Sequence, residues 1–187
     1  MTKMQIIDHG EGILEFLPKQ FADERGLFME TYNHTVSSAV EIDGISFIQD
    51  NLSVSARGVI RGLHFQHTPP VGKLVSVTKG AVFDVAVDIR SWSRNFGKVY
   101  TFILDDVERR AVWIPPGFAH GFQALQDDTI FSYKVTARWS AAGEGSINPF
   151  DEDLSIRWPI SHHILSEKDE IAPSFLYYKG NTLWEHK

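Results

Sequence analysis

The stretch GKLVSVTKGAVFDVAVDIR, residues 72–90, decides the fold class. Two short runs rich in β-branched and small apolar residues, KLVSV (73–77) and AVFDVAVDI (81–89), are separated by the turn pair Lys79-Gly80. Both alternate with period 2. In the second run Phe83, Val85, Val87 and Ile89 share one face, and Asp84 and Asp88 share the other; in the first, Lys73, Val75, Val77 and Lys79 lie together. Polar groups projecting from apolar strands fit the wall of a ligand cavity, and they also fit an ordinary strand with one face in water, which is the commoner arrangement.

The same signal recurs on either side. ILEFLP (13–18), ISFIQDNLSV (45–54), KVYTFIL (98–104), RAVWIP (110–115), HGFQAL (120–125) and TIFSYKVT (129–136) read as strands, separated by turn signals such as Asn95-Phe96-Gly97 and Pro115-Pro116-Gly117. In the last of these Phe131, Tyr133 and Val135 share a face. Helical stretches are few: HTVSSAVEI (33–41), and 167–172, where Ser166 followed by Asp169 makes a capping-box-like start. Many closely spaced strands and few helices specify an all-β sandwich, barrel or jelly roll. The tail FLYYKGNTLWEHK (175–187) is too aromatic to be left in solvent, and is expected to pack on the domain or on a second subunit.

Composition narrows the function. The chain has 187 residues, 43% hydrophobic and 22% charged, with a net charge of −6 and a pI near 5.7. A chain of this length buries roughly 70% of its unfolded surface in one core, so a single domain over 1–187 is expected, with 175–187 as a C-terminal extension. The acidic balance argues against nucleic acid or an anionic membrane as partner. There are no cysteines, which excludes disulfides, thiolate metal sites and thiol catalysis. No apolar run approaches the ~20 residues of a bilayer span, and MTKMQIIDHGEG carries no signal-peptide core. The expected location is the cytoplasm.

Eight histidines offer the groups that titrate nearest neutrality. His64 and His67 lie in RGLHFQH and His120 in WIPPGFAHGF. As metal ligands they form a poor set, because a divalent site wants three or four N/O donors, and Lys73, standing where an acid might have been, would repel a cation. Metal-free acid–base chemistry is the better reading, with Arg61 as an anion clamp and His64 as a base. On a regular strand these two would face opposite sides, so either a bulge re-aims one of them or they serve different purposes. Taken singly, each candidate has an ordinary structural use: Arg61, or Arg25 with Glu30, in a surface ion pair; His64 as a hydrogen-bonded core histidine; Asp169 as a helix-start acid; and Tyr133, His120 and Trp139 as packing residues.

The motifs taken together resemble one family. FADERGLFMETY, FIQDNLSVS, GVIRGLHFQ, GKLVSVTKGAVFDVAVDIR, WIPPGFAHGF, YKVT, EGSI, IRWP and LSEKD match in order the pattern of the dTDP-4-dehydrorhamnose 3,5-epimerases, over residues 16–173. The resemblance implies a cupin-type β jelly roll (double-stranded β-helix) with a few short helices, no cofactor and no metal. It also implies a homodimer with exchanged N-terminal strands, and a dTDP-4-keto-6-deoxyhexose as substrate, inverted at C3, C5 or both on a deoxysugar route such as that to dTDP-L-rhamnose. By the same resemblance His64 is the base, Asp169 the acid paired with it, Lys73 the cation near the ketone, and Tyr133 the acid on the opposite face. Arg25, Glu30, Gln49, Asn51, Arg61, His120, Glu144 and Lys168 fall at positions that hold nucleotide, diphosphate or sugar, and Trp139 where an aromatic stacks on thymine. Arg25 and Glu30 are expected from the neighbouring subunit. Apart from the resemblance, Asp84 lies on the strand face read as a cavity wall, and from that place is expected to orient Lys73. The Pro-rich HTPPVGK (67–73) and the aromatic tail depart from the family pattern. Single-site epimerases share these motifs, so inversion at one carbon stays open, as do a 3,4-ketoisomerase and a non-catalytic sugar-nucleotide binding module.

Overall fold

Valine- and phenylalanine-rich alternation produces two facing sheets. The computed structural model describes residues 4–33, 36, 38, 39 and 46–184. One sheet has six strands, in the order β1 (Gln5–Asp8), β2 (Leu14–Leu17), β10 (Ala111–Ile114), β7 (Lys73–Lys79), β12 (Thr129–Val135), β5 (Gln49–Ser55). The other has five, in the order β13 (Glu144–Ser146), β6 (Ile60–Gln66), β11 (Phe118–Ala124), β8 (Ala81–Asp88), β9 (Val99–Asp105). A separate hairpin pairs β3 (Gln20–Asp23) with β4 (Gly26–Met29). From β5 onward the chain alternates between the two sheets at every step except the adjacent pair β8–β9, giving the crossed connectivity of a jelly roll. No helix among the described residues is long and apolar enough to cross a membrane.

The core between the sheets contains Val75, Val77, Val82, Ala86, Tyr100, Phe102, Leu104, Val112, Phe122 and Phe131. A second cluster covers the outer face of the five-stranded sheet, where Val85, Val87 and Ile89 meet Ile147, Leu154, Phe175 and Tyr178 of the C-terminal segment. Both faces of β8 are therefore covered. Asp84 and Asp88 are fully buried, so the arrangement that sends their face to water does not apply. Asp88 is held by Arg90 and Ser93 at the end of the sandwich, whereas Asp84 points between the sheets.

Strand expectations hold for all eight segments, with ends unchanged or moved by at most two residues where both ends are described. The chain also forms β1, the β3–β4 hairpin, β6 and β13, which alternation does not reveal. The helix start at Ser166 is present: α1 (Glu167–Glu170) is capped by the Ser166 hydroxyl, which accepts from the Asp169 N–H. Of the stretch 33–41, Val36, Ser38 and Ala39 are helical, and the remainder apart from Asn33 lies outside the described residues. The aromatic tail packs on its own sheet. It forms α2 (Phe175–Gly180), buries Phe175 and Tyr178, and donates the Tyr178 hydroxyl to the Ile89 carbonyl at 2.8 Å; residues 185–187 lie outside the described residues.

One irregularity positions the site. His120 pairs with His64 and Phe122 with Arg61, so two residues of β6, Gly62 and Leu63, oppose the single Gly121. This bulge puts Arg61 and His64 on the same face. Gly62 has φ +119°, and a Cβ there would lie 2.6 Å from the Cα of Gly121 and the carbonyl of His120. Gly62→Ala is expected to cost about 3 kcal/mol, far above the ~1 kcal/mol of an average substitution. Urea denaturation monitored by circular dichroism measures this, and an unchanged midpoint would mean the bulge accommodates a side chain.

Candidate active site

The bulge aims His64 into the space between the sheets, where its Nε2 meets Asp169 Oδ1 at 2.5 Å. The chain ahead of α1 is tied to β6 by hydrogen bonds from Ile60 N to Ile164 O (2.9 Å) and from Ile164 N to Gly58 O (3.1 Å). A carboxylate 105 residues from His64 is thereby delivered to it. Asp169 is buried. Burial pushes its carboxyl up, but hydrogen bonds from His64, the Ser166 cap and the Gly62 N–H outweigh this and hold it below the usual range.

Across the cavity, the inward-facing residues of β7 and β12 supply Lys73 and Tyr133. Lys73 Nζ donates to the His64 carbonyl at 3.3 Å. Its ammonium is enclosed by protein, which lowers its pKa to about 8 against the opposing pull of Asp84 and Glu144. Burial raises the Tyr133 phenol, partly offset by the Arg61 guanidinium. Behind Lys73, His120 Nε2 bonds Asp84 Oδ2 at 2.8 Å in a fully enclosed pair. Burial keeps His120 below its ordinary pKa despite Asp84, with Lys73 and His64 pushing the same way. Asp84 was expected to orient Lys73. Its hydrogen bond goes to His120 instead, because β8–β11 register sets Asp84 opposite Phe122, diagonal to His120; Asp84 reaches Lys73 through charge alone.

Two cavities meet at these groups. The larger, about 520 Å³, is lined by Ser53, Ile60, Arg61, His64, Lys73, His120, Phe122, Phe131, Tyr133 and Asp169. The smaller, about 290 Å³, is lined by Gln49, Asn51, His64, Gln66, Lys73, Tyr133, Trp139 and Glu144. His64, Lys73 and Tyr133 form their common wall, and the volumes suit a two-part ligand with its reacting part at the junction. At the smaller cavity Gln49 Nε2 donates to Asn51 Oδ1 at 2.7 Å, and Lys168 bonds Glu144 at 2.7 Å. Glu144 is pushed up by burial, yet Lys168 and the Trp139 indole hold it below the usual range. In the larger cavity Arg61 Nε donates to Ser55 Oγ at 3.1 Å.

Eleven of the thirteen sequence-derived candidates thus converge. Arg25 and Glu30 do not. Arg25 sits at the tip of the β3–β4 hairpin, paired with Asp23, with its side chain 85% exposed, and neither residue lines either cavity. Sequence reasoning missed Ser53, whose buried hydroxyl has no partner, and the aromatic wall of Phe122 and Phe131. The alternation of β5 placed Ser53 on the same face as Gln49 and Asn51, which was the available signal. Among the described residues no group of three or more His, Asp or Glu converges as a metal site.

Comparison with known proteins identifies the family. Residues 9–176 match the family model described as dTDP-4-dehydrorhamnose 3,5-epimerase. The dTDP-4-dehydrorhamnose 3,5-epimerase of Shigella flexneri is 46% identical over 165 residues, covering 88% of this chain and 91% of that protein. The dTDP-4-dehydrorhamnose 3-epimerase of Streptomyces niveus is 42% identical, covering 87% and 79%. The crystal structure of dTDP-6-deoxy-D-glucose-3,5-epimerase from Legionella pneumophila, in complex with dTDP-4-keto-L-rhamnose, superposes with a TM-score of 0.92 at 40% identity, covering 99% of this chain and all of that one. With this agreement over most of its length, the chain belongs to the dTDP-4-dehydrorhamnose 3,5-epimerase family, a family of isomerases.

Proposed function

We propose that this chain inverts C3 and C5 of a dTDP-linked 4-keto-6-deoxyhexose in the cytoplasm, without a cofactor, on a deoxysugar route such as that to dTDP-L-rhamnose. The observation that carries this reading is the His64–Asp169 pair set across one cavity junction from Tyr133 and Lys73. Protons on C3 and C5 are both α to the C4 ketone, so loss of either leaves an enolate with its charge on one oxygen. His64 takes the proton, and Asp169 orients the ring and stabilises the imidazolium. Lys73, as a cation in a site with little water, stabilises the enolate oxygen. Tyr133 returns a proton on the opposite face; a phenol is a weak acid, but an enolate is basic enough to accept from it. Gln49, Asn51, Trp139, Glu144 and Lys168 grip the nucleotide, with Trp139 stacked on thymine, while Arg61 and His120 hold diphosphate or sugar.

Proton exchange in deuterated water with dTDP-4-keto-6-deoxyglucose, read by NMR and mass spectrometry, tests the reaction. Deuterium is expected at both carbons. The Streptomyces niveus relative acts at C3, and deuterium at one carbon alone would move this chain to that activity. A product with its ketone at C3 would make it a ketoisomerase, and bound nucleotide with no exchange a binding module. His64→Asn is expected to lose exchange at both carbons by about 10²–10⁴-fold, whereas Tyr133→Phe retains proton abstraction and loses inversion.

The lowered Lys73 pKa gives a pH dependence. The cation is present below pH about 8 and lost above it, so turnover is expected to fall as pH rises through that value. Asp84→Asn removes a charge that raises the Lys73 pKa, and is expected to move this limb to lower pH. A limb that stays in place in the pH–rate profile would assign it to another group.

The hairpin supports a homodimer in which N-terminal strands cross to the partner. Phe28 is 69% exposed on β4, and Leu52 is 63% exposed on β5, the edge of the six-stranded sheet. Apolar surface on an open edge is suited to burial against a second chain. A crossed hairpin would bring Arg25 and Glu30 to the partner's nucleotide. Arg25→Ala and His64→Asn chains, each impaired alone, are then expected to recover activity when refolded together, since a mixed dimer holds one site with both groups intact. No recovery in mixtures shown to contain mixed dimers would place Arg25 outside the partner's site.

A further inference from the structure

Two residues beyond His64 on β6, the buried carboxamide of Gln66 is bonded to two loops. Its Nε2 donates to the carbonyls of Pro69 at 2.9 Å and Arg138 at 3.0 Å, and its Oε1 accepts from the Ser140 N–H at 2.8 Å. Both amide hydrogens are therefore engaged, and only one oxygen lone pair is left for any ligand. Pro69 lies in the stretch that leads into Lys73. Arg138 and Ser140 flank Trp139, in the stretch that leads into Glu144. The two stretches also bond directly, from His67 N to Gly143 O (2.9 Å) and from Gly72 N to Thr136 Oγ1 (2.8 Å). They fit so closely that a Cβ on Gly143 would lie 1.9 Å from the Thr68 carbonyl. Trp139 itself is 66% exposed. A side chain with so little packing takes its orientation from its backbone and from its bond to Glu144, and Gln66 fixes that backbone on both sides.

We propose that Gln66 is a positioning residue that holds Trp139 and Glu144 at the rim of the smaller cavity, and so sets affinity for the nucleotide half of the substrate. This rests on the dTDP-sugar reading above. Without the carboxamide, the carbonyls of Pro69 and Arg138 can find water by moving outward, because both residues are at the surface. The rim then opens while the His64–Asp169 pair, held by β6 and α1, stays in place.

The test measures kcat and KM for dTDP-4-keto-6-deoxyglucose, and dTDP affinity by calorimetry, for wild type, Gln66→Met, Gln66→Glu and Trp139→Ala. Gln66→Met keeps the shape and loses every hydrogen bond. Gln66→Glu keeps the acceptor for Ser140 but sets a carboxylate against two carbonyls; should it fail to fold, Gln66→Met decides alone. Both are expected to raise KM and the dTDP dissociation constant tenfold or more while kcat changes less than threefold, a split that general loss of stability does not produce. Unchanged dTDP affinity in Gln66→Met, or a fall in kcat at constant KM, overturns the assignment. A wild type that does not bind dTDP, or a Trp139→Ala variant that binds it as tightly, overturns the nucleotide reading and this inference with it. That result is distinct from one in which wild type binds, Trp139→Ala weakens binding and Gln66→Met does not.

Discussion

Gly62 and Gly121 bring the backbones of β6 and β11 closer than any side chain allows, with the Cα of Gly121 2.6 Å from where a Gly62 Cβ would stand. That contact holds the extra residue of β6 in place, and the geometry of the candidate site follows from it. With the bulge, Arg61 and His64 both enter the larger cavity. Without it, a regular strand would send one of them into the apolar cluster around Leu63, Phe65 and Ile147, where a charged guanidinium or an imidazole has no partner. Glycine at both positions thus has a mechanistic reason: it permits the backbone approach that turns a three-residue spacing into a shared face.

The charges around the junction offset one another. Lys73 is positive, and so would His64 be once it took a proton as proposed; Asp84, Glu144 and Asp169 are negative, with Asp84 and Asp169 buried and Glu144 half-buried. An isolated buried charge is expensive, but one with an opposite charge nearby is retained. Asp84 and Glu144 keep Lys73 near 8, from where burial alone would push it lower. Such a lysine is still largely cationic at neutral pH and poorly hydrated, the state that suits the role proposed for it beside an enolate oxygen. Burial lowers the His120 pKa even though it donates to Asp84, which favours a polar contact on the larger cavity without a second positive charge beside Lys73.

What the sequence makes legible follows from which interactions are local. Alternation reveals β7, β8 and β12 because a covered face leaves a period-2 record, and the same alternation puts Lys73, Tyr133 and Asp84 on inward faces. The Ser166 cap of α1 is readable because capping spans only three residues. β6 is not readable as a strand: its bulge breaks the alternation at the very residues that enter the larger cavity, so IRGLHFQ reads as a motif and not as an element. The Asp84–His120 bond is equally hidden, being a diagonal contact fixed by the pairing of two strands 36 residues apart. The convergence of His64 with Asp169, Tyr133 and Lys73 follows from the family resemblance and the sheet topology together; spacing along the chain specifies none of it. Arg25 lies away from the cavities, and in the proposed dimer its place is set by a second chain.

The C-terminal segment connects folding to function. Phe175 and Tyr178 cover the back of β6, β8 and β11, with Tyr178 anchored to the Ile89 carbonyl. Immediately before them the same segment carries Asp169 around to the front of β6. The Asn148 N–H donates to the Pro173 carbonyl, and the Phe175 N–H donates to Asp151, so the turn between α1 and α2 is fixed at a known distance from the sheet. The apolar face formed by Phe83, Val85 and Val87 and the acid bonded to the His64 imidazole therefore depend on one piece of chain. Covering the outer face of the sheet and bringing a carboxylate to His64 are tasks of one continuous stretch, from Asp169 to Tyr178.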